Sequence, residues 1–198
     1  MPVDCQKLII LDTRFGFLGL IFQGSKVLQL SLGHTTRKNA KGALRRAVAG
    51  SNLCEIPEPP LAMRRLVAQL LAYTEGALQR FDRVRIDTDT LTPFARRVMQ
   101  ACRNIPYGHS ITYGGLARRA GSPGAARAVG SVMAKNRFPL IVPCHRVVAA
   151  GGRLGGFSAA GGPGLKRRLL QMEARVCGGE AVDTESEKMD ICRSWGGR

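Results

Sequence analysis

The stretch Ile141-Val142-Pro143-Cys144-His145-Arg146-Val147-Val148 limits what this chain can become more than any other. A cysteine and a histidine stand together after a proline, between two apolar runs. Pro143 fixes its own φ and pushes Val142 toward an extended conformation. In a regular strand Cys144 and His145 would point to opposite faces and could not cooperate. A proline-induced turn can bring both side chains to one side. Free cysteine has a pKa near ~8.5, and a neighbouring imidazole or a helix N-terminus raises the small thiolate fraction present at neutral pH. The pair is therefore either an activated nucleophile or a buried structural cysteine beside a hydrogen-bonded histidine. The flanking sequence favours the nucleophile.

Charge separates the chain into three parts. Residues 1–90 carry 13 Lys and Arg against 8 Asp and Glu, and residues 177–198 carry 3 against 5. Between them, residues 91–176 hold 14 cations against Glu173 alone. Such a segment cannot neutralise itself, and its field has to be met by a polyanion or by counterions. Most of these cations are arginines, whose planar forks suit phosphate, so nucleic acid is the expected partner. A merely solvated basic face is the plain alternative. A membrane surface is not expected, because no basic amphipathic helix with aromatic anchors is present and no apolar run reaches the roughly 20 residues that span a bilayer. The N-terminal residues show no secretory signal. Six scattered cysteines (5, 54, 102, 144, 177 and 192) without a C-x-x-C pair look like neither a disulfide framework nor a zinc site, and point to a reducing intracellular compartment.

The 198 residues suffice for one large domain or two small ones. Residues 7–32 alternate apolar patches with turn residues and read as a three-stranded antiparallel meander. A short basic helix over 38–49 ended by Gly50, a proline-rich connection at 55–60, a helix from Leu61 to Leu78 and a strand at Val84-Arg85-Ile86 complete an α+β unit over 1–90. Nothing in that unit is assigned to chemistry, and His34 reads as a loop histidine. A second unit, 91–176, opens with Thr92 as N-cap and Pro93 at the first helical position. Phe94, Val98, Cys102 and Ile105 make its apolar stripe. Thr112 caps a short helix that ends near Gly121, and Ser122-Pro123 is expected to start the next, which runs to Met133. Two short helices joined by a glycine-containing turn form a helix-turn-helix pattern. Small residues of the second helix, with Arg127 among them, would let it approach a groove closely or simply pack on the first helix. Glycines at 151–152 and 155–156 do not form a dinucleotide fingerprint. A last helix spans Pro163 to Arg175, and the tail 177–198 is too poor in apolar residues to pack, so it is expected to be disordered.

Ile105-Pro106-Tyr107-Gly108, Thr112-Tyr113-Gly114, Ala126-Arg127-Ala128-Val129-Gly130, Asn136, Pro143-Cys144-His145-Arg146-Val147 and Gly156-Phe157-Ser158 occur in this order. Together they resemble the O6-alkylguanine-DNA alkyltransferases, the methylated-DNA–protein-cysteine methyltransferases. The likeness is dense over roughly 91–175. Residues 1–90 match only in coarse layout, which looks like the family's ribonuclease-H-like N-terminal domain, followed by a mostly helical, winged-helix-like domain. The resemblance implies single-turnover DNA repair with no dissociable cofactor: the alkyl group of O6-alkylguanine passes irreversibly to Cys144, with O4-alkylthymine left open as a substrate. His145 would take the thiol proton through a water, Glu173 would orient the imidazole, and Asn136 would tie the second helix to the active-site turn. Tyr113 would rotate the nucleotide phosphate and assist departure of guanine. Arg127 would fill the gap left by the flipped base, with Ala126 and Met133 on the same helix. Val147, Phe157 and Ser158 would hold the guanine. Extrusion of the base is required, because an O6 substituent inside a duplex is out of reach of a buried thiol. The implied partner is double-stranded DNA bound without strong sequence preference by a monomer. The implied location is intracellular, cytoplasmic with the nucleoid in a bacterium and nuclear in a eukaryote.

Three departures stand out. Phe157 replaces a tyrosine common in the family, which keeps a stacking wall and loses a hydroxyl. Ser158-Ala159-Ala160-Gly161-Gly162 is one residue longer than the common form. Cys5 lacks the companions of the structural zinc site that some members carry, so no metal is expected. Two other classes remain: a lesion-binding, alkyltransferase-like module, which typically replaces the acceptor cysteine, and a helix-turn-helix transcription factor, which would bind specific sequences without covalent change.

Overall fold

The computed structural model describes residues 5–48 and 52–178. The expected tail, apart from Cys177 and Gly178, and the expected helix stop at Gly50 lie outside the described residues. Three strands, β1 (Gln6–Leu11), β2 (Phe17–Gln23) and β3 (Lys26–His34), form the antiparallel meander. Two short strands extend it in parallel: β4 (Leu53–Glu55) on β1 and β5 (Arg85–Ile86) on β3, giving the order β4-β1-β2-β3-β5. Alternation along the strands serves both faces. Leu8, Ile10 and Ile21 pack on one side against Ala40 and Leu44 of helix α1 (Arg37–Ala47), where Gly19 leaves room for the Leu44 side chain. Ile9, Leu20, Phe22, Leu30 and Leu32 face the larger core on the other side.

Helix α2 (Leu61–Thr74) covers that second face with Met63, Leu66, Val67, Leu70 and Tyr73. It stops earlier than the leucine spacing suggests: Gly76 turns the chain at φ 96°, and Leu61, Leu71 and Leu78 are exposed. Helix α3 (Pro93–Arg103) follows, its first turn closed by the Thr92 hydroxyl accepting from the Ala95 N–H at 3.2 Å. Strand β6 (Ile111–Thr112) leads into helix α4 (Tyr113–Arg119), capped by Thr112, and helix α5 (Ala126–Ala134) packs against it. Ser122-Pro123 does not begin α5. The Ala125 N–H returns to the Ser122 carbonyl, Gly124 sits at φ 86°, and the helix starts at Ala126 without a side-chain cap. Strand β7 (Val147–Val148) pairs in parallel with β6, and helix α6 (Gly162–Val176) closes the molecule. One apolar core runs from the sheet through α2 into α3–α6, so both halves of the chain share it. The architecture is α+β, and among the described residues no helix is long and apolar enough to cross a membrane.

Two further expectations fail here. Cys5 and Cys54 pair as a disulfide, with Cα atoms 6.5 Å apart. The parallel register of β1 and β4 brings them together, which 49 residues of sequence separation conceals. This removes cysteine usage as an argument for a reducing compartment. His34 is the last residue of β3 rather than a loop histidine, with Nε2 2.7 Å from the Ser31 hydroxyl.

The sheet meets α6 at Gly33, whose φ is 87° and where a Cβ would lie 2.9 Å from the Gly161 backbone nitrogen and 2.5 Å from Leu165 Cδ2. A side chain there is strained twice, by conformation and by collision. Gly33→Ala is expected to destabilise the fold by about 1–3 kcal/mol in urea unfolding. An unchanged midpoint would contradict this packing.

Candidate active site

Cys144 is delivered by a tightly wound connection. After α5 the chain turns through Leu140, which at φ 70° is the non-glycine residue with positive φ among the described residues, held there by burial. Pro143 (φ −76°, ψ 65°) is the centre of an inverse γ-turn, with the Cys144 N–H donating to the Val142 carbonyl at 2.7 Å. Cys144–Arg146 then forms a single 3-10 turn, and Val147–Val148 anchors its far end on β6. The proline thus builds a turn, and of the two side chains only Cys144 lines the cleft.

Within this turn Cys144 and His145 take different partners. The Asn136 side-chain amide donates to the Cys144 Sγ at 3.1 Å and to the Val142 carbonyl at 2.9 Å, while its oxygen accepts from the Phe138 N–H at 3.0 Å. Every polar atom of that amide has a use, which locks the end of α5 to the turn. Burial raises the Cys144 pKa; the Asn136 hydrogen bond, the Lys166 ammonium and the N–H groups of Cys144 and His145 oppose it without overcoming it. Cys144 therefore rests as a thiol.

His145 is fully buried and points its Nε2 at Glu173 Oε1, 2.9 Å away. Glu173, also fully buried, takes Arg146 through Nη2 to Oε1 at 2.8 Å and Nε to Oε2 at 3.0 Å, and the Gly108 N–H on Oε2 at 3.1 Å. Tyr73 of α2 donates its hydroxyl proton to Glu173 Oε1 at 2.5 Å, and its oxygen lies 3.1 Å from His145 Nε2. Burial alone would raise the Glu173 carboxyl, but Arg146 and His145 hold it well below the usual carboxylate range. A group depressed in this way stabilises the fold fully above the unfolded carboxyl's pKa, and that contribution is lost as pH falls toward the native one. Burial lowers His145 below its ordinary value; Glu173 opposes, and Arg146 and Lys166 reinforce the lowering. The ring is neutral at neutral pH, and its Nδ1 is buried without a hydrogen-bond partner from the protein.

The thiol opens onto a cleft of about 300 Å³ lined by Tyr113, Gly130, Met133, Ala134, Cys144, Gly156, Phe157 and Ser158. Tyr113 stands at the start of α4, placed beside the cysteine turn by the β6–β7 pairing. Gly155 (φ 67°) brings the glycine-rich loop so close that a Cβ would lie 3.2 Å from the Tyr113 ring. Arg127 is exposed on α5, one turn before Gly130 and two before Ala134, and Ala126 begins that helix. Val147 does not line the cleft. Its side chain is buried, and its carbonyl accepts from Lys166 Nζ at 2.6 Å.

Three polar side chains of the site went unassigned in the sequence: Tyr73, Arg146 and Lys166. Arg146 had a legible signal, as a cation inside the cysteine motif of a segment with one acid. Lys166 stands seven residues, two helical turns, before Glu173, on a face shared with Leu169 and Leu170. It is fully buried, ties the cysteine turn to the loop through a second bond to the Gly156 carbonyl at 3.2 Å, and burial lowers its pKa to about 8. Tyr73 had no local signal, being one more apolar position of α2, and it carries a hydrogen bond from residues 1–90 to Glu173.

A thiol at the foot of an open cleft, with an unpaired imidazole nitrogen and a carboxylate behind the ring, defines a cysteine-nucleophile protein. Residues 93–175 match the family model of the 6-O-methylguanine DNA methyltransferase DNA-binding domain. A methylated-DNA–protein-cysteine methyltransferase of Mycolicibacterium paratuberculosis is 44% identical over 118 residues, which is 60% of this chain and 69% of the relative. One from Methanothermobacter thermautotrophicus is 38% identical over 115 residues, 58% of this chain and 63% of the relative, so that match spans less than two thirds of its length. The crystal structure of Mycobacterium tuberculosis OGT in complex with DNA superposes with a TM-score of 0.70 at 36% identity, covering 86% of this chain and 94% of that one. The chain belongs to the methylated-DNA–protein-cysteine methyltransferase family.

Asn136→Ala removes the hydrogen bond that lowers the Cys144 pKa, takes one of two donors from the Val142 carbonyl and leaves the buried Phe138 N–H without its side-chain acceptor. The expected results are a rise in the pH midpoint of thiol alkylation and a stability loss of about 1–3 kcal/mol. A midpoint at the wild-type pH would show that the amide does not tune the thiol.

Proposed function

We propose that this protein repairs DNA in a single turnover by moving the alkyl group of O6-alkylguanine onto Cys144. The observation that carries the proposal is the Cys144 thiol opening on the cleft, followed in the chain by a His145 ring whose Nδ1 is bare and whose Nε2 is backed by Glu173. In the reaction the Cys144 sulfur attacks the alkyl carbon in line with the C–O6 bond. A carbon–sulfur bond forms as the carbon–oxygen bond breaks, and the electron pair stays on the guanine. The thiol proton passes to His145 Nδ1 through a water, and the guanine takes up a proton as it leaves, with the Tyr113 hydroxyl as hydrogen-bond donor. Glu173 stabilises the imidazolium while it exists. The products are S-alkylcysteine and guanine, and no step restores the thiol.

The same reading assigns the cleft to a base rotated out of the duplex, with Met133, Phe157 and Ser158 around it. Arg127, exposed on the cleft side of α5, replaces the extruded base in the stack, and Ala126 lies close to the groove. In this scheme α4 and α5 act as the helix-turn-helix and residues 91–176 as the DNA-binding, winged-helix-like unit. The 1–90 sheet is the ribonuclease-H-like one, as its antiparallel meander with a parallel fourth strand suggests. The arginine-rich charge of 91–176 supports binding through phosphates without strong sequence preference. No dissociable cofactor enters, the working form is a monomer, and it acts wherever the cell keeps its DNA. Retention of Cys144 favours transfer over lesion binding alone.

Cys144→Ala is expected to keep binding to duplex DNA carrying O6-methylguanine in gel-shift titration while taking up no label from a radioactive methyl group. Label on the variant would mean another acceptor. Arg127→Ala should slow repair in duplex by roughly tenfold or more, the equivalent of about 1.4 kcal/mol or more, while barely changing reaction with free O6-benzylguanine. Equal loss on both substrates would remove the stack-filling role.

A further inference from the structure

We infer that Tyr73, contributed by α2, is a positioning residue for alkyl transfer: its hydroxyl holds Glu173 in register and keeps His145 in the tautomer whose Nδ1 is the base. The inference rests on the assignment of Cys144 as acceptor and His145 as its base.

Proton accounting around Glu173 leads there. The carboxyl is ionised, so each neighbour on its oxygens must donate. Tyr73 has one proton, and burial followed by the Glu173 charge keeps it on the phenol, which makes Tyr73 the donor in the 2.5 Å contact with Oε1. The phenol oxygen then has lone pairs to spare, and His145 Nε2 lies 3.1 Å from it and 2.9 Å from Oε1. Both neighbours of Nε2 are acceptors. The neutral ring therefore carries its proton on Nε2, shared between carboxylate and phenol, and Nδ1 keeps its lone pair. The phenol is itself immobile: Tyr73 is fully buried, and its ring meets Phe81, Tyr107 and His145 edge-on at centroid distances of 6.0, 5.8 and 6.4 Å.

The geometry also shows what Tyr73 opposes. Arg146 pulls on both carboxylate oxygens, and Gly108 on Oε2. On the Oε1 side Tyr73 is the counterweight that does not titrate during the reaction, whereas His145 changes charge in each proton transfer. By drawing charge from Oε1, the phenol also weakens the hold of Glu173 on the imidazolium. The charged groups around His145 are Glu173 and Lys166 from α6 and Arg146 from its own turn. The titratable ones are Tyr73 from α2, Tyr107 behind Tyr73, and Cys144. Of the phenols, only Tyr73 reaches Glu173 and His145 by a hydrogen bond among the described residues.

The test is the rate of alkyl uptake on Cys144 against pH for wild type, Tyr73→Phe and Tyr107→Phe. Tyr107 packs on the same ring, but its hydroxyl goes to the Gly76 carbonyl at 3.2 Å, so its variant controls for loss of a buried hydroxyl. For Tyr73→Phe we expect a rate lower by roughly tenfold at neutral pH, with DNA affinity intact. The acidic limb should move up by about half a pH unit or more, because Glu173 then holds the imidazolium more tightly. Tyr107→Phe should keep the wild-type limb. A Tyr73→Phe profile that coincides with wild type overturns the inference, as does equal slowing in both variants with the limb unmoved. Imidazole nitrogen NMR of the wild-type protein tests the tautomer without any variant: protonated Nε2 and bare Nδ1 are expected, and the reverse overturns it. Wild type that takes no alkyl group on Cys144 would instead sink the acceptor assignment, a result distinct from either of these.

Discussion

Glu173 is the sole acid between residues 91 and 176, and it lies fully buried, so its charge has to be met by donors brought from elsewhere in the chain. Those donors are the Tyr73 hydroxyl from α2, the Gly108 N–H ahead of β6, and His145 and Arg146 from the cysteine turn. Arg146 also donates to the Ile105 carbonyl at 2.7 Å, so the end of α3 joins the same knot. Stripping one partner from a buried ion pair typically costs 3–5 kcal/mol, because the survivor stays charged and dry. Four segments of the fold are thereby made to meet at one carboxylate. The turn that carries the thiol is one of them, and its precision follows from that meeting.

Around this anchor each half of the site has its own environment. The thiol sits on the cleft side with an amide donor and stays protonated at rest. The imidazole sits on the dry side and stays neutral at rest. Both are poised without charge, and the carboxylate lies where positive charge will appear once a proton moves. Lys166, close to its own titration point by burial, adds a cation that favours thiolate over thiol. The arrangement makes charge separation cheap only when substrate consumes the thiolate.

Much of the catalytic half was legible because the informative residues are local. Pro143, Cys144 and His145 are neighbours, the caps at Thr92 and Thr112 precede their helices directly, and the meander shows in alternating strand patterns. What failed was either distant or conformational. Tyr73 and Glu173 are 100 residues apart, and a tyrosine in an apolar helical stripe reads as core. The Cys5–Cys54 pair depends on a parallel strand register that no local pattern encodes. The start of α5 was misplaced because Ser122-Pro123 imitates a capped helix while Gly124 at φ 86° spends those residues on a turn. Leu140 gives no sign in the sequence of its left-handed backbone, which only the surrounding burial sustains.

The most direct test of the account is the intact mass of the wild-type protein after incubation with duplex DNA containing O6-methylguanine, followed by peptide mapping. The account predicts a gain of one methyl group per molecule, confined to the peptide that contains Cys144 and reached in a single turnover. Tight binding to the lesion with no change in mass, or a methyl group on any other residue, would contradict it.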